Sequence, residues 1–418
     1  MSAPRFDATE DHARSLDAAD PLGPLRSRFH LPRTPDGASS AYLCGHSLGL
    51  QPLAARAAVE RELDDWARLG VDGHFAARNP WYAYHERLRS PLARLSGARP
   101  AEVVAMNSLS VNLHLMLTSF LRPVPGRHRV LIEEHAFPSD RYAVESQLRL
   151  NGYDPAEALI EAQEPEEWLE REGQRIALVL LGAVNFFTGR WYDTARIVSA
   201  ARRQGCVVGL DLAHAIGNVP LALHEEGADF AVWCSYKYLN GGPGAVGGCF
   251  VHERHHGDAA RPRLAGWWGN DPRTRFRMST ERAFVPVAGA DGWQLSNPSI
   301  LAMAPLVESS ALFDEVGMPA LRAKSERLTG YAAAWVEHAA GEQIEILTPR
   351  EPAARGCQLS LRPRGAAREL DAALRAAAVI GDYRDPGVIR VAAVPSYNTF
   401  HDVWRFGRAV ECWTAESR

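Results

Sequence analysis

The sequence predicts an α/β fold, with a mostly parallel sheet in a large domain and a smaller α+β domain toward the C-terminus. Across the middle of the chain, short apolar runs alternate with helical patterns of about 10–15 residues. Such alternation is typical of βαβ units, because parallel strands need helical crossovers. Beyond about residue 300 the pattern changes to long helices with a few separate strands. The length of 418 residues also exceeds what a single hydrophobic core usually serves.

Each element rests on its own hydrophobic pattern. Apolar residues at helical spacing, with caps such as Asp193 or Thr194 and closing glycines such as Gly205, predict helices at 54–70, 106–120, 192–205, 299–317, 318–341 and 368–380. Apolar runs rich in β-branched residues predict strands at 128–134, 175–186, 206–215, 228–238, 344–350 and 357–363. We therefore expect an N-terminal arm over residues 1–50, a large domain over 51–304 and a small domain over 305–418.

Composition and charge exclude several classes of protein. The formal net charge is −4 and no Lys/Arg run occurs, so neither a nucleic acid nor an anionic membrane is an expected partner. The first residues lack a basic segment followed by an apolar one, and no stretch of about 18 apolar residues occurs, so neither a signal peptide nor a membrane span is expected. We expect a cytoplasmic protein.

The cysteines and histidines do not suggest a metal site. No C-x-x-C pair occurs, so we expect reduced, mostly buried thiols at the six cysteine positions, which are Cys44, Cys206, Cys234, Cys249, Cys357 and Cys412. His252, His255 and His256 lie close together in "VHERHHG", but their surroundings do not complete a ligand set. We expect a surface loop there and no bound metal.

An aspartate and a lysine follow neighbouring predicted strands. Asp211 ends "VVGLD", Lys237 follows "FAVWCS", and His214 lies three residues beyond Asp211. In open α/β sheets the ligand crevice lies at the carboxyl ends of the strands, so these residues belong on one rim. Pyridoxal 5′-phosphate (PLP) needs an amine for its Schiff base and an acid beside its pyridine nitrogen. The pattern is compatible with PLP chemistry, but the spacing alone favours a plain Asp–Lys salt bridge.

The segment "MNSLSVNLHLMLTSF" has Asn and Ser followed by an apolar-periodic helix. Backbone N–H groups and the Ser110 hydroxyl at such a helix start can hold a phosphate. An ordinary helix N-cap explains the same residues.

The ordered set of motifs resembles the kynureninases, which are fold-type I PLP enzymes of the aspartate aminotransferase superfamily. The resemblance runs from about Tyr42 to Phe406 and is carried by "GHSLGLQP", "MNSLSVNLHLML", "FPSD", "NFFTG", "GLDLAHAIGNVPL", "WCSYKYLNGGPGAVGG", "AGWWG", "LSNPS" and "IRVAAVPSYNTFHDV". It implies a PLP-dependent transferase-like fold with a seven-stranded sheet. It also implies hydrolysis of the Cβ–Cγ bond of L-kynurenine or 3-hydroxykynurenine in tryptophan catabolism, giving L-alanine and anthranilate or its 3-hydroxy form.

The resemblance also assigns roles to individual residues. Lys237 resembles the Schiff-base lysine, Asp211 the acid at the pyridine nitrogen, and Tyr236 a phosphate ligand and proton carrier. The other implied cofactor contacts are Leu109, Ser110, Phe137, Asp140 and His214, with Trp267 and Asn297 supplied across the interface of a homodimer. Ser47, His74 and Arg390 are the implied substrate contacts, with Arg390 binding the substrate carboxylate.

This chain departs from the family pattern at three positions. His46 stands where the family usually has Asn, and we expect it to face the backbone turn of "GHSLGL". Ser110 replaces a usual Thr and keeps the hydroxyl. Gly182 stands where a hydroxyl residue often helps to hold the phosphate, and a glycine side chain cannot supply that contact.

Other readings of the same fold stay open at this level. A cysteine desulfurase would need a mobile nucleophilic cysteine, and Cys357, the candidate in the C-terminal part, opens an apolar strand instead. An aminotransferase or a kynureninase paralogue acting on a modified kynurenine are further enzymatic alternatives. A non-enzymatic cofactor-binding paralogue is disfavoured because Lys237, Asp211 and Arg390 are all present.

Overall fold

The structure is a computed structural model that describes residues 6–365 and 367–416. Its helices are α1 (Glu10–Ala18), α2 (Ala54–Leu69), α3 (Gly73–Ala76), α4 (Glu86–Ser96), α5 (Leu109–Phe120), α6 (Pro138–Leu150), α7 (Pro155–Ala158), α8 (Pro165–Glu172), α9 (Thr194–Arg203), α10 (Leu223–Glu226), α11 (Ile300–Val316), α12 (Met318–Ala340), α13 (Ala367–Ala376) and α14 (Phe400–Glu416). Its strands are β1 (Ala41–Tyr42), β2 (Val103–Ala105), β3 (Arg129–Glu133), β4 (Leu159–Ala162), β5 (Ile176–Gly182), β6 (Val207–Asp211), β7 (Phe230–Cys234), β8 (Gly247–Val251), β9 (Ile344–Ile346), β10 (Gln358–Pro363), β11 (Val379–Ile380), β12 (Asp382–Arg384) and β13 (Val388–Ala392).

A seven-stranded sheet forms the large domain, in the order β2-β8-β7-β6-β5-β3-β4. β8 runs antiparallel to both of its neighbours, whereas the pairs from β7 to β4 are parallel. The predicted mostly parallel sheet is therefore confirmed.

Both faces of this sheet are covered by apolar side chains, as a parallel sheet requires. Alternate residues of β5 show this directly. Val179 and Leu181 pack into the core on one face, and Leu178 and Leu180 pack into the core on the other. The continuous apolar run of β5 follows from this double burial.

A second, four-stranded antiparallel sheet lies toward the C-terminus, in the order β12-β13-β10-β9. Its core combines residues of α12 and α14, such as Trp335 and Phe406, with Ala13 and Leu43 from the N-terminal segment. β1 also pairs in parallel with β11. The N-terminal arm thus packs on the small domain.

The predicted boundary between residues 304 and 305 falls inside α11, which runs unbroken from Ile300 to Val316. Met303, Leu306 and Phe313 of this helix all pack into the core of the large sheet. The position of the domain boundary stays a prediction.

Local signals placed several helix ends, but the helix predicted over 368–380 ends at Ala376, and Val379–Ile380 form β11 instead. The side chain of Asp193, rather than that of Thr194, caps α9 by accepting the Arg196 N–H at 3.0 Å. Gly70 follows α2 with φ 55°, a left-handed backbone that favours glycine. None of the helices in the described part of the chain combines the length and apolar character needed to cross a membrane.

Candidate active site

The carboxyl ends of four parallel strands converge on one rim of the large sheet. Asp211 ends β6 and is paired in register with Gly182, which ends β5. Glu133 ends β3, and Lys237 lies three residues beyond the end of β7. The rim predicted from the sequence is therefore formed, and it carries an ammonium and two carboxyl groups.

A cavity opens at this rim, and the predicted cofactor residues surround it. Its lining comprises Leu109, Ser110, Glu133, Phe137, Asp140, Gly182, Val184, Phe186, Asp211, Ala213, His214, Cys234, Tyr236 and Lys237. Trp267, Asn297, Ser47, His74 and Arg390 do not line it.

Lys237 faces an imidazole. Its Nζ lies 3.0 Å from Nε2 of His214 and 5.9 Å from the centre of the Phe137 ring. Burial and the Lys237 ammonium lower the pKa of His214 well below its usual range, so the ring is neutral and Nε2 can accept a hydrogen bond from Nζ. Among the described residues the alternative Asp211–Lys237 salt bridge is not formed.

Asp211 shares its buried site with Asp140 from the first turn of α6. Asp211 Oδ1 accepts the Ala213 N–H at 2.7 Å. Burial raises the pKa of Asp140 well above its usual range, and the adjacent Asp211 carboxylate raises it further. Asp140 Oδ1 is buried without a hydrogen-bond partner. Asp140 therefore stays protonated beside Asp211, and the pair presents one negative charge to the cavity.

Glu133 is a cavity residue that sequence reasoning missed. Its Oε1 accepts the Gly182 N–H at 3.0 Å, and burial raises its pKa to about 7. A Cβ at position 182 would lie 2.8 Å from Oε1, so Glu133 occupies the space that a side chain at Gly182 would need. The signal was available in the sequence, because Glu133 ends the apolar run "VLIE" as Asp211 ends "VVGLD".

Two helix N-termini meet at the other end of the cavity. Ser110 lies in the first turn of α5 and Ser139 in the first turn of α6, and their Oγ atoms are 3.3 Å apart. Asn107, just before α5, has φ 50°. Helix N-termini carry partial positive charge and free N–H groups, which suit a phosphate.

Tyr236 lies between Lys237 and the strand end at Cys234, partly buried in the cavity wall. Burial raises the pKa of its phenol above its usual value. The hydroxyl therefore keeps its proton and can donate it to a group in the cavity.

Together these features fit PLP. Lys237 offers the amine, Asp211 the acid, and Ser110 the phosphate end of the cavity. Phe137 is 39% exposed and packs edge-on against Phe186, which leaves a face for a stacked ring. PLP would contribute an electron sink for carbanion chemistry.

Arg390 and Ser47 meet beside this cavity through a residue that the sequence did not reveal. Arg390 Nη1 donates to the Phe186 carbonyl at 2.8 Å, and Nη2 is ion-paired with Asp382. Ser47 Oγ donates to the same Asp382 carboxylate at 2.5 Å. Two of the three substrate residues implied by the resemblance, Ser47 and Arg390, therefore form one polar cluster around Asp382.

His46 does not face the backbone turn, and that expectation is wrong. Its ring is fully buried, with Nε2 3.6 Å from Asp382 Oδ2 and its centre 6.4 Å from that of His214. Burial and the Arg390 charge lower its pKa to about 4. A neutral imidazole thus links the Asp382 cluster to the Lys237 side of the site.

The remaining predicted residues do not line the cavity. A set of stacked or edge-on rings, here called the aromatic cluster, comprises His74, Phe75, Tyr82, Trp267, Trp268 and Phe276. Phe75 and Phe276 are 65% and 64% exposed. Asn297 is also exposed. The structure brings His74 and Trp267 together, but outside the cavity of their own chain.

His252 has an acidic neighbour that its sequence surroundings did not reveal. Its Nδ1 lies 3.6 Å from Glu102, which also contacts His224 Nδ1 at 2.9 Å. These atoms already have partners, because His252 Nδ1 accepts the Arg254 N–H and Glu102 accepts the Glu253 N–H. The cluster is satisfied as a hydrogen-bonded network.

Comparison with solved structures agrees with the class of protein that fold and site define. A C-DES mutant with glycine covalently linked to its PLP cofactor superposes with a TM-score of 0.76 at 16% identity, covering 92% of this chain and 99% of that one. The cysteine desulfurase CsdA from Escherichia coli superposes with a TM-score of 0.76 at 17% identity, covering 95% and 98%. The fold is that of the fold-type I PLP enzymes.

Sequence comparison identifies the family. A kynureninase of Xanthomonas oryzae pv. oryzae is 56% identical over 418 residues, covering 97% of this chain and 98% of the relative. A kynureninase of Koribacter versatilis is 52% identical over 417 residues with the same coverage. The family model for the kynureninase C-terminal domain matches residues 321–410. The chain belongs to the kynureninase family.

The contact between Gly182 and Glu133 leads to a test of cofactor binding. Gly182→Ala should weaken PLP binding about tenfold, because the new methyl group must displace Glu133 within a packed wall. Titration of the apoenzyme with PLP, followed by absorbance, measures this. Glu133→Ala in the Gly182→Ala background should recover most of the loss, and an equal loss in both variants would contradict the steric explanation.

Proposed function

We propose that the chain hydrolyses the Cβ–Cγ bond of L-kynurenine to anthranilate and L-alanine, with PLP held by Lys237. The observation that carries this is the arrangement of Lys237, His214 and Asp211 around one cavity in a chain of the kynureninase family. The cysteine desulfurase alternative is disfavoured because its candidate nucleophile, Cys357, is not accessible. Cys357 is 1% exposed, and burial raises the pKa of its thiol to about 12.

Lys237 and its neighbours handle the protons of this reaction. The Lys237 amine removes the Cα proton of the substrate, and the neutral His214 at 3.0 Å accepts a hydrogen bond from it. Asp211 supplies the negative charge that holds a proton on the pyridine nitrogen, with Asp140 kept neutral beside it. The phenol of Tyr236 keeps its proton until the Cβ–Cγ bond breaks, and it then donates that proton to Cβ.

Different residues recognise the two ends of the substrate. Arg390 binds the α-carboxylate with its guanidinium fork. The aryl ring extends away from Arg390, and we assign its contact to His74, whereas Trp267 and Asn297 reach the cofactor of the neighbouring subunit. L-Kynurenine is the proposed preferred substrate over 3-hydroxykynurenine.

A homodimer with shared sites is part of the proposal. The exposed aromatic cluster contains His74 and Trp267, which lie outside the cavity of their own chain. Exposed aromatic surface of this kind usually marks an interface. The six cysteines are all unpaired, which fits a reducing compartment, and we place the enzyme in the cytoplasm on that ground.

The role of Lys237 can be tested by covalent trapping. The protein purified with PLP should be yellow, and borohydride reduction should attach the cofactor irreversibly to the peptide that contains Lys237. Peptide mass spectrometry locates the label. Lys237→Arg keeps the charge but removes the reactive amine, so it should show no label, and a label on any other peptide would reject the assignment.

The role of Asp211 can be separated from cofactor retention. At saturating PLP, Asp211→Ala should lower kcat by more than about 100-fold, because the electron sink loses its charge partner. Asp140→Asn is the matched comparison. Because Asp140 is already neutral, kcat of this variant should fall by less than about tenfold. Near-normal turnover of Asp211→Ala at full occupancy would exclude the proposed role.

The shared sites can be tested with hybrid dimers. One subunit carries Lys237→Ala and the other carries Trp267→Ala with Asn297→Ala, and two different tags isolate the hybrid. Because one of its two sites is then complete, the hybrid should have about half of the wild-type activity.

The control places all three substitutions in one subunit opposite a wild-type subunit. If the sites are shared, both sites of this hybrid are damaged and it should be nearly inactive. The reverse pattern, with an active control and an inactive test hybrid, would show that each chain builds its own site.

A further inference from the structure

Asp382 lies at the centre of the polar cluster beside the cavity. It is the cross-strand partner of Arg390 in the antiparallel pair β12–β13. Its Oδ2 forms ion pairs with Arg390 and with Arg384, the latter at 2.9 Å, and it accepts the Ser47 hydroxyl at 2.5 Å. His46 Nε2 approaches the same oxygen to 3.6 Å. This single carboxylate therefore orders every charged group of the cluster.

The arrangement leaves part of the Arg390 guanidinium free. Arg390 is 1% exposed, with Nη1 bonded to the Phe186 carbonyl and Nη2 to Asp382. Its Nε is buried without a partner. A buried donor without an acceptor costs free energy, so this edge of the guanidinium suits an arriving ligand.

Charge counting shows that Asp382 can stay in place when a ligand binds. Arg390 and Arg384 contribute two positive charges, Asp382 contributes one negative charge, and the buried His46 is neutral. The cluster thus holds one surplus positive charge. One incoming carboxylate neutralises it without displacing Asp382.

We propose that Asp382 is a positioning residue that holds Arg390 and Ser47 in the geometry that recognises the substrate α-carboxylate. The proposal rests on the proposed function and extends it to a residue that touches no substrate. Because the charge of Asp382 orients the guanidinium, its removal should act on binding of the carboxylate group and spare the chemical steps.

The test compares two ligands in Asp382→Asn. For L-kynurenine, KM should rise about tenfold while kcat stays within about threefold. The inhibition constant of the decarboxylated amine, which offers Arg390 nothing to bind, should change less than about twofold. In an Arg390→Lys background, adding Asp382→Asn should raise KM for L-kynurenine little further, because Asp382 acts through Arg390.

Asp402→Asn is the matched control. Asp402 is a buried aspartate paired with Arg26 at 2.6 Å and lies outside the cavity lining. It should leave KM for L-kynurenine unchanged. If Asp382→Asn does not fold, Asp382→Glu, which keeps the charge but moves it along a longer side chain, should still raise KM about threefold for L-kynurenine alone.

Two outcomes would overturn the inference. A lower KM in Asp382→Asn would show that Asp382 occupies the carboxylate site and must leave it. An equal loss of affinity for L-kynurenine and for the amine would show that Asp382 has a merely structural role. A wild-type enzyme that binds L-kynurenine through Arg390 but does not hydrolyse it would refute the proposed function and leave the carboxylate comparison intact.

Discussion

The alignment of parallel strand ends is the constraint on which the site depends. Hydrogen-bonded register places Gly182 beside Asp211, and β7 runs alongside β6, so Lys237 follows on the same rim. Parallel strands end together because helical crossovers return the chain to the same starting edge. The polar residues at the ends of separate apolar runs therefore meet at one place, while the runs themselves are buried on both faces.

Burial then decides which of the ionisable groups at this rim of the sheet are charged. Three carboxyl groups face the cavity, yet burial raises the pKa of Asp140 and of Glu133, and Asp211 carries the charge of its pair. Burial acts in the opposite direction on His214 and leaves it neutral beside Lys237. A low-dielectric cavity thus keeps Asp140 and His214 neutral beside Asp211 and Lys237, and an acid together with an amine is the combination that PLP chemistry uses.

The polar cluster that we propose to bind the substrate is built outside the large sheet. Ser47 follows β1, whereas Arg390 and Asp382 lie on neighbouring strands of the four-stranded sheet. The link to the cofactor cavity is the Phe186 carbonyl, which follows β5 of the large sheet and binds Arg390. The relative packing of the two sheets therefore sets the distance between the carboxylate contact and the reactive amine.

The sequence by itself determined the central strands, the helices with clear caps, the Asp211–Lys237 rim and the family. These depend on local periodicity and on motifs whose spacing is short. The strands β2, β4 and β8 escaped notice, because they are defined by their pairing within the sheet and not by a distinctive local pattern. Only the tertiary structure decided that Glu133 lies in the cavity wall and that Asp382 joins Arg390 to Ser47, and only it decided the orientation of His46 and the grouping of His74 with Trp267. Ser47 and Asp382 are 335 positions apart, and no local pattern encodes a contact that arises when two separate sheets pack together.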